Sequence, residues 1–426
     1  MNESELCEVE RACREGNVDA LEAGLALIRT PCLDTPLIVA ARHGHLGCVQ
    51  NLIQRGANVD ALVRNANLLS GHSCVTALVV ASAHGNVQIV DCLLQKGANP
   101  NGRLDETSTP LAAACQQGHV DVVHRLLRVP SLHLPVDVFF KNLPTDAVAR
   151  HHLVTRLLED SRISHDHLRR KCDGQTILHK ACQTHNVSLV DLVATHDKTR
   201  HLLNTRDNQG KTPLYLVAGS LLDDAIVQCL MKHGADPIGS LDGTTPLHRA
   251  ITSARLGQVQ ALLASATVNV NAVTKTARRT PFMCACHEYW KPNGGGDMRD
   301  IVVALLKDDR LDVNAADTEG RNVLHHASSL GLVWLVELLL ANDNNKHTVN
   351  IHAHDKHGQT ALHMACANNH LAIVRHLVHR GACLVTPRDK HGRNPLGHVL
   401  LHGGHCLQLL YYVMREHQGW MHLEAW

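Results

Sequence analysis

The sequence predicts an all-α solenoid of about twelve repeats, each a pair of antiparallel helices joined to the next pair by a β-hairpin-like turn. Three observations carry that expectation. An anchor of the form Thr-Pro-Leu recurs at Thr35, Thr76, Thr109, Thr176, Thr212, Thr245, Thr280, Asn322, Thr360 and Asn394, most often 33 to 42 residues apart, with one gap of 67 that spans two periods. A Val stands 14 residues after the anchor at Val49, Val90, Val123, Val190, Val259, Val336 and Val374. Glycines punctuate the unit at two fixed places, nine after the anchor (Gly44, Gly85, Gly118, Gly331) and at its close (Gly56, Gly97, Gly234, Gly381).

Each element of the unit has a chemical reason. The Thr hydroxyl caps a helix N-terminus. Pro at the next position suits the first helical residue, which needs no N–H. Leu-x-x-Ala then buries one face of a two-turn helix, and Gly nine residues on supplies a left-handed end. The second helix carries Val and paired Leu, as in Leu93-Leu94, Leu126-Leu127 and Leu262-Leu263. A Gly-Ala-Asx tail leads into a turn of the form Asp-x-x-Gly at Asp207, Asp317, Asp355 and Asp389, residue types that favour turns.

This pattern resembles the ankyrin repeat. The closest fit runs from Asp355 through Gly358, Thr360, Leu362 and His363 to Val374, Leu377 and Gly381-Ala382, and the resemblance covers roughly residues 5–415. A first cap is expected over Cys7 to Leu27. The resemblance implies a curved stack whose concave face is built from hairpin tips and the outer positions of the first helices. It also implies a protein-binding function.

Four places depart from the period. Residues 61–73 lengthen the first hairpin. Residues 128–172 form a degenerate unit that keeps Val154, Leu157 and Leu158 but no anchor, and reads as a hinge or as simple drift, since each repeat depends only on its neighbours. Residues 288–299 insert between two helices, lengthening Thr280-to-Val302 to 22 residues. Asn342 to Thr348 extends a further tail. The expected organisation is therefore a cap and repeats over 1–127, the degenerate unit over 128–172, repeats with the insertion over 173–415, and a tail over 416–426. Cys406 to Met414 reads as a capping helix.

Composition narrows the function. Forty-one Lys+Arg balance 40 Asp+Glu, for a net charge of +1, which speaks against a chain built to coat nucleic acid or an anionic membrane. No run of 18 uncharged apolar residues predicts a membrane span, and the acidic N-terminus does not read as a secretory signal. Fifteen cysteines, an odd number, predict free thiols in a reducing cytoplasm or nucleus. Thirty-four histidines suggest a pH-sensitive surface, densest over residues 346–426.

Groups that bear chemistry mostly fall on structural positions. Cys115, Cys182, Cys286 and Cys366 lie six after the anchor, in a slot where Ala41 and Ser82 stand elsewhere, and read as buried thiols, as do Cys48, Cys92 and Cys229. His179, His248, His325 and His363 occupy the His of the ankyrin Thr-Pro-Leu-His motif, which by resemblance bonds neighbouring turns. Cys284-Ala-Cys286-His287 and His352-Ala-His354-Asp355-Lys-His357 contain metal-ligand atoms. The first overlaps the buried slot, and no Cys-x-x-Cys pair exists, so no metal and no cofactor are expected. No His-Glu-x-x-His, Gly-x-Ser-x-Gly or phosphate-loop motif occurs, so no enzyme is expected. Arg169-Arg170-Lys171 is a small basic patch.

The expectation is a monomeric, non-enzymatic scaffold or adaptor that binds proteins or peptide segments. Its contact candidates by resemblance are Arg42, His43, His72, His84, Gln116 and Gln117 in the first repeats, and Lys211, Arg279, Arg321, Lys356, His357, His391 and Arg393 in the later ones. The later set is basic, which suits an acidic segment. Tyr289 and Trp290, a rare aromatic pair on the insertion, are the leading hot-spot candidates. Leu306 followed by Asp312-Val313-Asn314 is similar to an asparaginyl-hydroxylase substrate, with Asn314 the modified residue. Two alternatives stand beside the scaffold. Residues 35–46, 81–85 and 108–115 are similar to the feminization-protein family, which implies a degron receptor of a cullin-RING ubiquitin ligase. The histidine clusters leave a metal-dependent enzyme as a remote reading.

Overall fold

The computed structural model describes residues 3–27, 33–63, 75–102, 109–133, 143–144, 146–160, 173–289, 295–341, 348–379, 387–395 and 397–398. Among these are twenty-one α-helices and no named strand. Twenty of the helices form ten antiparallel pairs, and the Ala147–Glu159 helix stands without a described partner of its own repeat. The chain divides into two compact units, Met1–Leu202 and Leu203–Trp426. The first holds five pairs and the Ala147–Glu159 helix. The second holds five pairs and the beginning of another repeat at Asn394, whose Oδ1 accepts from the N–H of Gly397 at 2.8 Å.

The anchors do what their chemistry predicts. Thr76, Thr109, Thr212 and Thr245 sit in extended backbone, and each hydroxyl accepts from the N–H three residues on. Within each unit, first helices pack on first helices and second on second, as with Ala77–Ala83 against Pro110–Gln117 and Val333–Leu340 against Leu371–His379. Val49, Val90, Val123, Val190, Val259, Val336 and Val374 are all 0% exposed. Burial of each is worth about 1.5–3 kcal/mol. Cys115, Cys182, Cys286 and Cys366 fill their slot without exposure to solvent, and burial pushes the Cys115 and Cys286 thiols far up, so they stay protonated. Cys48 and Cys229 are buried as well, whereas Cys92 is half-buried. Ser82 and Ser328 occupy the same slot and leave buried hydroxyls without a hydrogen bond.

In seven repeats position nine after the anchor is left-handed with or without Gly, whereas Leu221 and Tyr289 at the same place are not. Gly44, Gly85, Gly118 and Gly331 have φ of 74–83°, and His185, Ala254 and Asn369 adopt φ of 54–59° at the equivalent place. The fold imposes that bend and glycine only eases it.

Two of the departures lie partly within the described residues. The lengthened first hairpin is closed by an antiparallel bridge, with Val63 and Val75 exchanging two bonds of 3.1 Å; residues 64–74 lie outside the described ones. The insertion is shorter than residues 288–299. Glu288 and Tyr289 continue the Pro281–Tyr289 helix, and 295–299 belong to the Gly295–Leu306 helix. Met298, Ile301, Val302 and Leu305, at i, i+3, i+4 and i+7, are at most 1% exposed, so core burial carries the helix back over the glycines. Residues 134–142, 145 and 161–172 of the degenerate unit, with Arg169-Arg170-Lys171, and the helix expected over Cys406 to Met414 lie outside the described residues.

Candidate partner-binding surface

In the Leu203–Trp426 unit the Asp-x-x-Gly turns share one geometry. Asp317 Oδ1 accepts the N–H groups of Glu319 (2.8 Å) and Arg321 (2.9 Å), and its own N–H donates to the Arg321 carbonyl (3.0 Å). Asp207, Asp355 and Asp389 repeat this with Lys211, Gln359 and Arg393. Adjacent tips are then stitched through backbone. Lys275 N–H donates to Asp242 (2.8 Å), Thr318 to Ala277 (3.1 Å), Lys356 to Glu319 (2.7 Å) and Lys390 to His357 (2.8 Å). The result is a bonded row of hairpins that presents Arg279, Arg321, Lys356, His357, His391 and Arg393.

Histidines lock the row to the helices. The N–H of Thr245 donates to His248 Nδ1 (3.2 Å), and His248 Nε2 donates to the Arg279 carbonyl of the next hairpin (3.1 Å). His325 and His363 bond likewise to the carbonyls of Gln359 (3.1 Å) and Arg393 (3.3 Å). His179 accepts from the Thr176 N–H (3.0 Å) in the other unit. Burial lowers the His248 pKa and brings His325 and His363 to about 4, so all three rings are neutral near pH 7. A second set, ten after the anchor, was not recognised from sequence. Nε2 of His45, His119 and His370 donates to the end of the preceding first helix, at Arg14 (3.0 Å), Ala83 (3.1 Å) and Ser329 (3.2 Å).

The predicted basic residues are not all free charges. Arg321 Nε lies 3.3 Å from Asp355 Oδ2, Arg393 Nε lies 3.4 Å from Asp389 Oδ2, and Lys356 Nζ lies 2.6 Å from Glu319, with His357 3.8 Å from the same carboxylate. Half-buried Lys211 holds its turn through its backbone, and His391 is exposed. The row is thus closer to neutral than a count of Lys and Arg suggests. Arg279 differs in making no ion pair among the described residues; its Nε, like that of Arg393, is buried without a hydrogen bond.

Arg279 and Arg321 meet in a pocket of about 140 Å3, with His287, Asp317, Glu319 and His326 also on its wall. Two histidines there form a chain with a carboxylate. His326 Nε2 donates to Asp317 Oδ2 (3.0 Å), and His287 Nε2 lies 3.1 Å from His326 Nδ1. Burial raises the Asp317 carboxyl, but the His326 bond and the backbone N–H groups of Arg321 and Glu319 outweigh it and hold the pKa at about 2. His287 is brought to about 4 by burial first, then by His326 and Arg279. The signal for this chain lay in the sequence unread: Asp317/His326 and Asp389/His398 share an i, i+9 spacing, and His398 Nε2 also lies 3.0 Å from its Asp.

In the Met1–Leu202 unit, Arg42 and His43 end the Asp34–His43 helix, exposed His84 bonds back to the Val80 carbonyl (3.0 Å), and Gln116 and Gln117 are exposed at the end of their helix. Burial, then Arg42, Arg14, His45 and His84, lowers the His43 pKa. Of the first-repeat candidates, these neighbours bring Arg42, His43 and His84 near one another. His72 and Trp290 lie outside the described residues, as does the Tyr289 side chain. Exposed Asn314 has structural work: its Nδ2 donates to Thr348 (2.8 Å) and its Oδ1 accepts from Asn350 (2.7 Å). Asn271 does the same with Arg310 (2.7 Å) and Asp312 (2.8 Å).

Comparison with known proteins agrees with this architecture. A family profile described as ankyrin repeats, three copies, matches residues 59–134, 146–238, 203–274, 254–352 and 344–417, and a single-repeat profile matches 32–64. The chain is 33% identical over 214 residues to the mouse B-cell lymphoma 3 protein homolog, covering 49% of this chain and 45% of that protein. It is 33% identical over 174 residues to human Rabankyrin-5, covering 41% and 14%. The chain thus spans less than half the length of these relatives. The solved ankyrin repeat domain of Bcl-3, described as a unique member of the IkappaB protein family, aligns with 28% identity over 53% of this chain and 94% of that one, with a TM-score of 0.46. No helix among the described residues is long and apolar enough to cross a membrane.

Proposed function

Because the chain belongs to the ankyrin-repeat family, whose members are protein-interaction scaffolds, we propose that it is a non-enzymatic adaptor that holds an acidic segment of a partner protein along the hairpin row of the Leu203–Trp426 unit. One observation carries this reading. The row is rigidified by backbone bonds from tip to tip, so it offers basic side chains at fixed spacing with little ordering cost on binding. Among the described residues, His248, His325 and His363 bond neighbouring hairpins, and Cys115, Cys182, Cys286 and Cys366 are buried.

The test is peptide display against the immobilised full chain. Sequences rich in Asp and Glu should be enriched. Their affinity should fall as salt rises, and it should fall in a Lys356→Glu/His391→Glu variant. Enrichment of uncharged sequences that bind the variant equally well would overturn the reading. Co-purification of elongin and cullin subunits with the chain from cells would instead favour the degron-receptor alternative.

A further inference from the structure

The pocket beside Arg279 holds a cation without the carboxylate partner that its repeat position suggests. Two consecutive hairpins show how. Arg321, one before its anchor, reaches Asp355 of the following turn, Nε to Oδ2, at 3.3 Å. Arg279 stands at the same position one repeat earlier, and Asp317 is the corresponding turn Asp. That pair is not made. Asp317 Oδ2 is taken by His326 at 3.0 Å, while Oδ1 is filled by two backbone N–H groups. In the following repeat the position of His326 is held by Met364, which cannot compete, and there the Arg–Asp pair forms. At Asp389 a histidine again takes Oδ2, with Arg393 of the same turn 3.4 Å from that oxygen, but the position in the preceding repeat is Gln359 rather than Arg, so no cation of that repeat is displaced. Among the described hairpins, this one combines a diverting His with a displaced Arg.

Hydrogen-bond accounting fixes the ligand class. The carboxylates on the pocket wall are satisfied, Asp317 as above and Glu319 by Lys356 at 2.6 Å. The His287 N–H is spent on His326. What remains are donors: the Arg279 guanidinium, with its Nε buried and unbonded, and the outer nitrogens of Arg321, whose Nε alone is engaged with Asp355. A volume of about 140 Å3 suits the end of one side chain, being close to a cavity of ~150 Å3 that admits benzene.

We propose that this pocket receives the carboxylate of a single Glu or Asp side chain of the partner segment, bound through Arg279 and Arg321. The inference rests on the adaptor reading for its biological ligand. A carboxylate fits better than a phosphate group because Asp317 and Glu319 share the wall, and a near-dianion would be repelled more strongly there. His326 acts as a positioning residue: it keeps Arg279 available by occupying Asp317.

The test needs no partner. The full chain, labelled with 13C-histidine, is titrated with glutamate capped as N-acetyl and N-methylamide, and the His287 and His326 ring signals are followed. Saturable shifts of both are expected with the Glu probe and none with the capped Gln probe. Arg279→Gln should raise the dissociation constant at least about tenfold. His326→Met, which frees Asp317 to take Arg279, should weaken binding as strongly while Arg279 is still present. Unchanged histidine signals in the folded wild type, equal binding of the Gln probe, or unaltered binding by either variant would overturn the proposal. Tighter binding of a capped phosphoserine would overturn the choice of carboxylate. The outcome is separable from the display experiment: acidic peptides that bind an Arg279→Gln variant unchanged would remove the pocket and leave the adaptor reading standing.

Discussion

Acidification should weaken the Leu203–Trp426 unit, and His325 sets the scale. Its ring is 1% exposed, Nδ1 accepts from the N–H of Asn322 (3.3 Å), and Nε2 donates to the Gln359 carbonyl (3.1 Å). Nδ1 also lies 2.6 Å from Asn322 Oδ1, so what opposes protonation is the charge it places on a buried ring. Burial is the leading cause of a folded pKa of about 4, against 6.5 for the free side chain. A lowered histidine pKa means that the unfolded chain takes the proton first. The stability contributed by the neutral ring is complete above about pH 6.5 and is lost as pH falls toward 4. At about pH 5 the loss from this residue alone is about 2 kcal/mol. His363, also brought to about 4, and His248, lowered, act with the same sign. The assay is urea unfolding followed by Trp fluorescence, since Trp334 lies in the same repeat as His325. The wild-type midpoint should fall between about pH 7.5 and 5, and His325→Gln should flatten that dependence while lowering stability at neutral pH. Equal wild-type midpoints, or a His325 titration near 6.5 by NMR, would refute the reasoning.

Three further outcomes are expected. Ala254→Gly should raise stability by about 0.5–1 kcal/mol in thermal unfolding, because Ala254 sits at φ 54°, whereas Asn369→Gly should change little since Asn tolerates that region. Asn314→Ala should cost about 1–2 kcal/mol, having removed two bonds to the next repeat; hydroxylation of its β-carbon would spare both bonds, and mass spectrometry of the chain from hydroxylase-expressing cells should show one added oxygen on that peptide. Ser82→Ala and Ser328→Ala should be neutral or stabilising by up to about 1 kcal/mol, since each hydroxyl is buried without a partner.

The repeat was legible because its signals are local. A Thr before Pro-Leu caps a helix whatever surrounds it, and the caps at Thr76, Thr109, Thr212 and Thr245 fell on the expected residues. Glycine was a less faithful guide. Packing enforces the left-handed bend at His185 and Ala254 as well, and it carries a helix over Gly295 and Gly296 because Met298 and Ile301 must reach the core. The pocket was harder to read. His287 stood out within the Cys284-Ala-Cys286-His287 run, and the displacement of Arg279 depends on His326, Asp317 and Arg279 meeting across two repeats. The basic character of the later tips was overstated for the same reason: Arg321 and Arg393 look free in sequence and lie beside buried aspartates in three dimensions.

The most direct test of the adaptor reading is amide hydrogen exchange on the full chain with and without a display-selected acidic peptide. Protection confined to the tips at 275–279, 317–321, 355–359 and 389–393 is the predicted result. Protection on the second helices, such as Leu256–Leu263 and Val333–Leu340, with those tips unchanged, would contradict it.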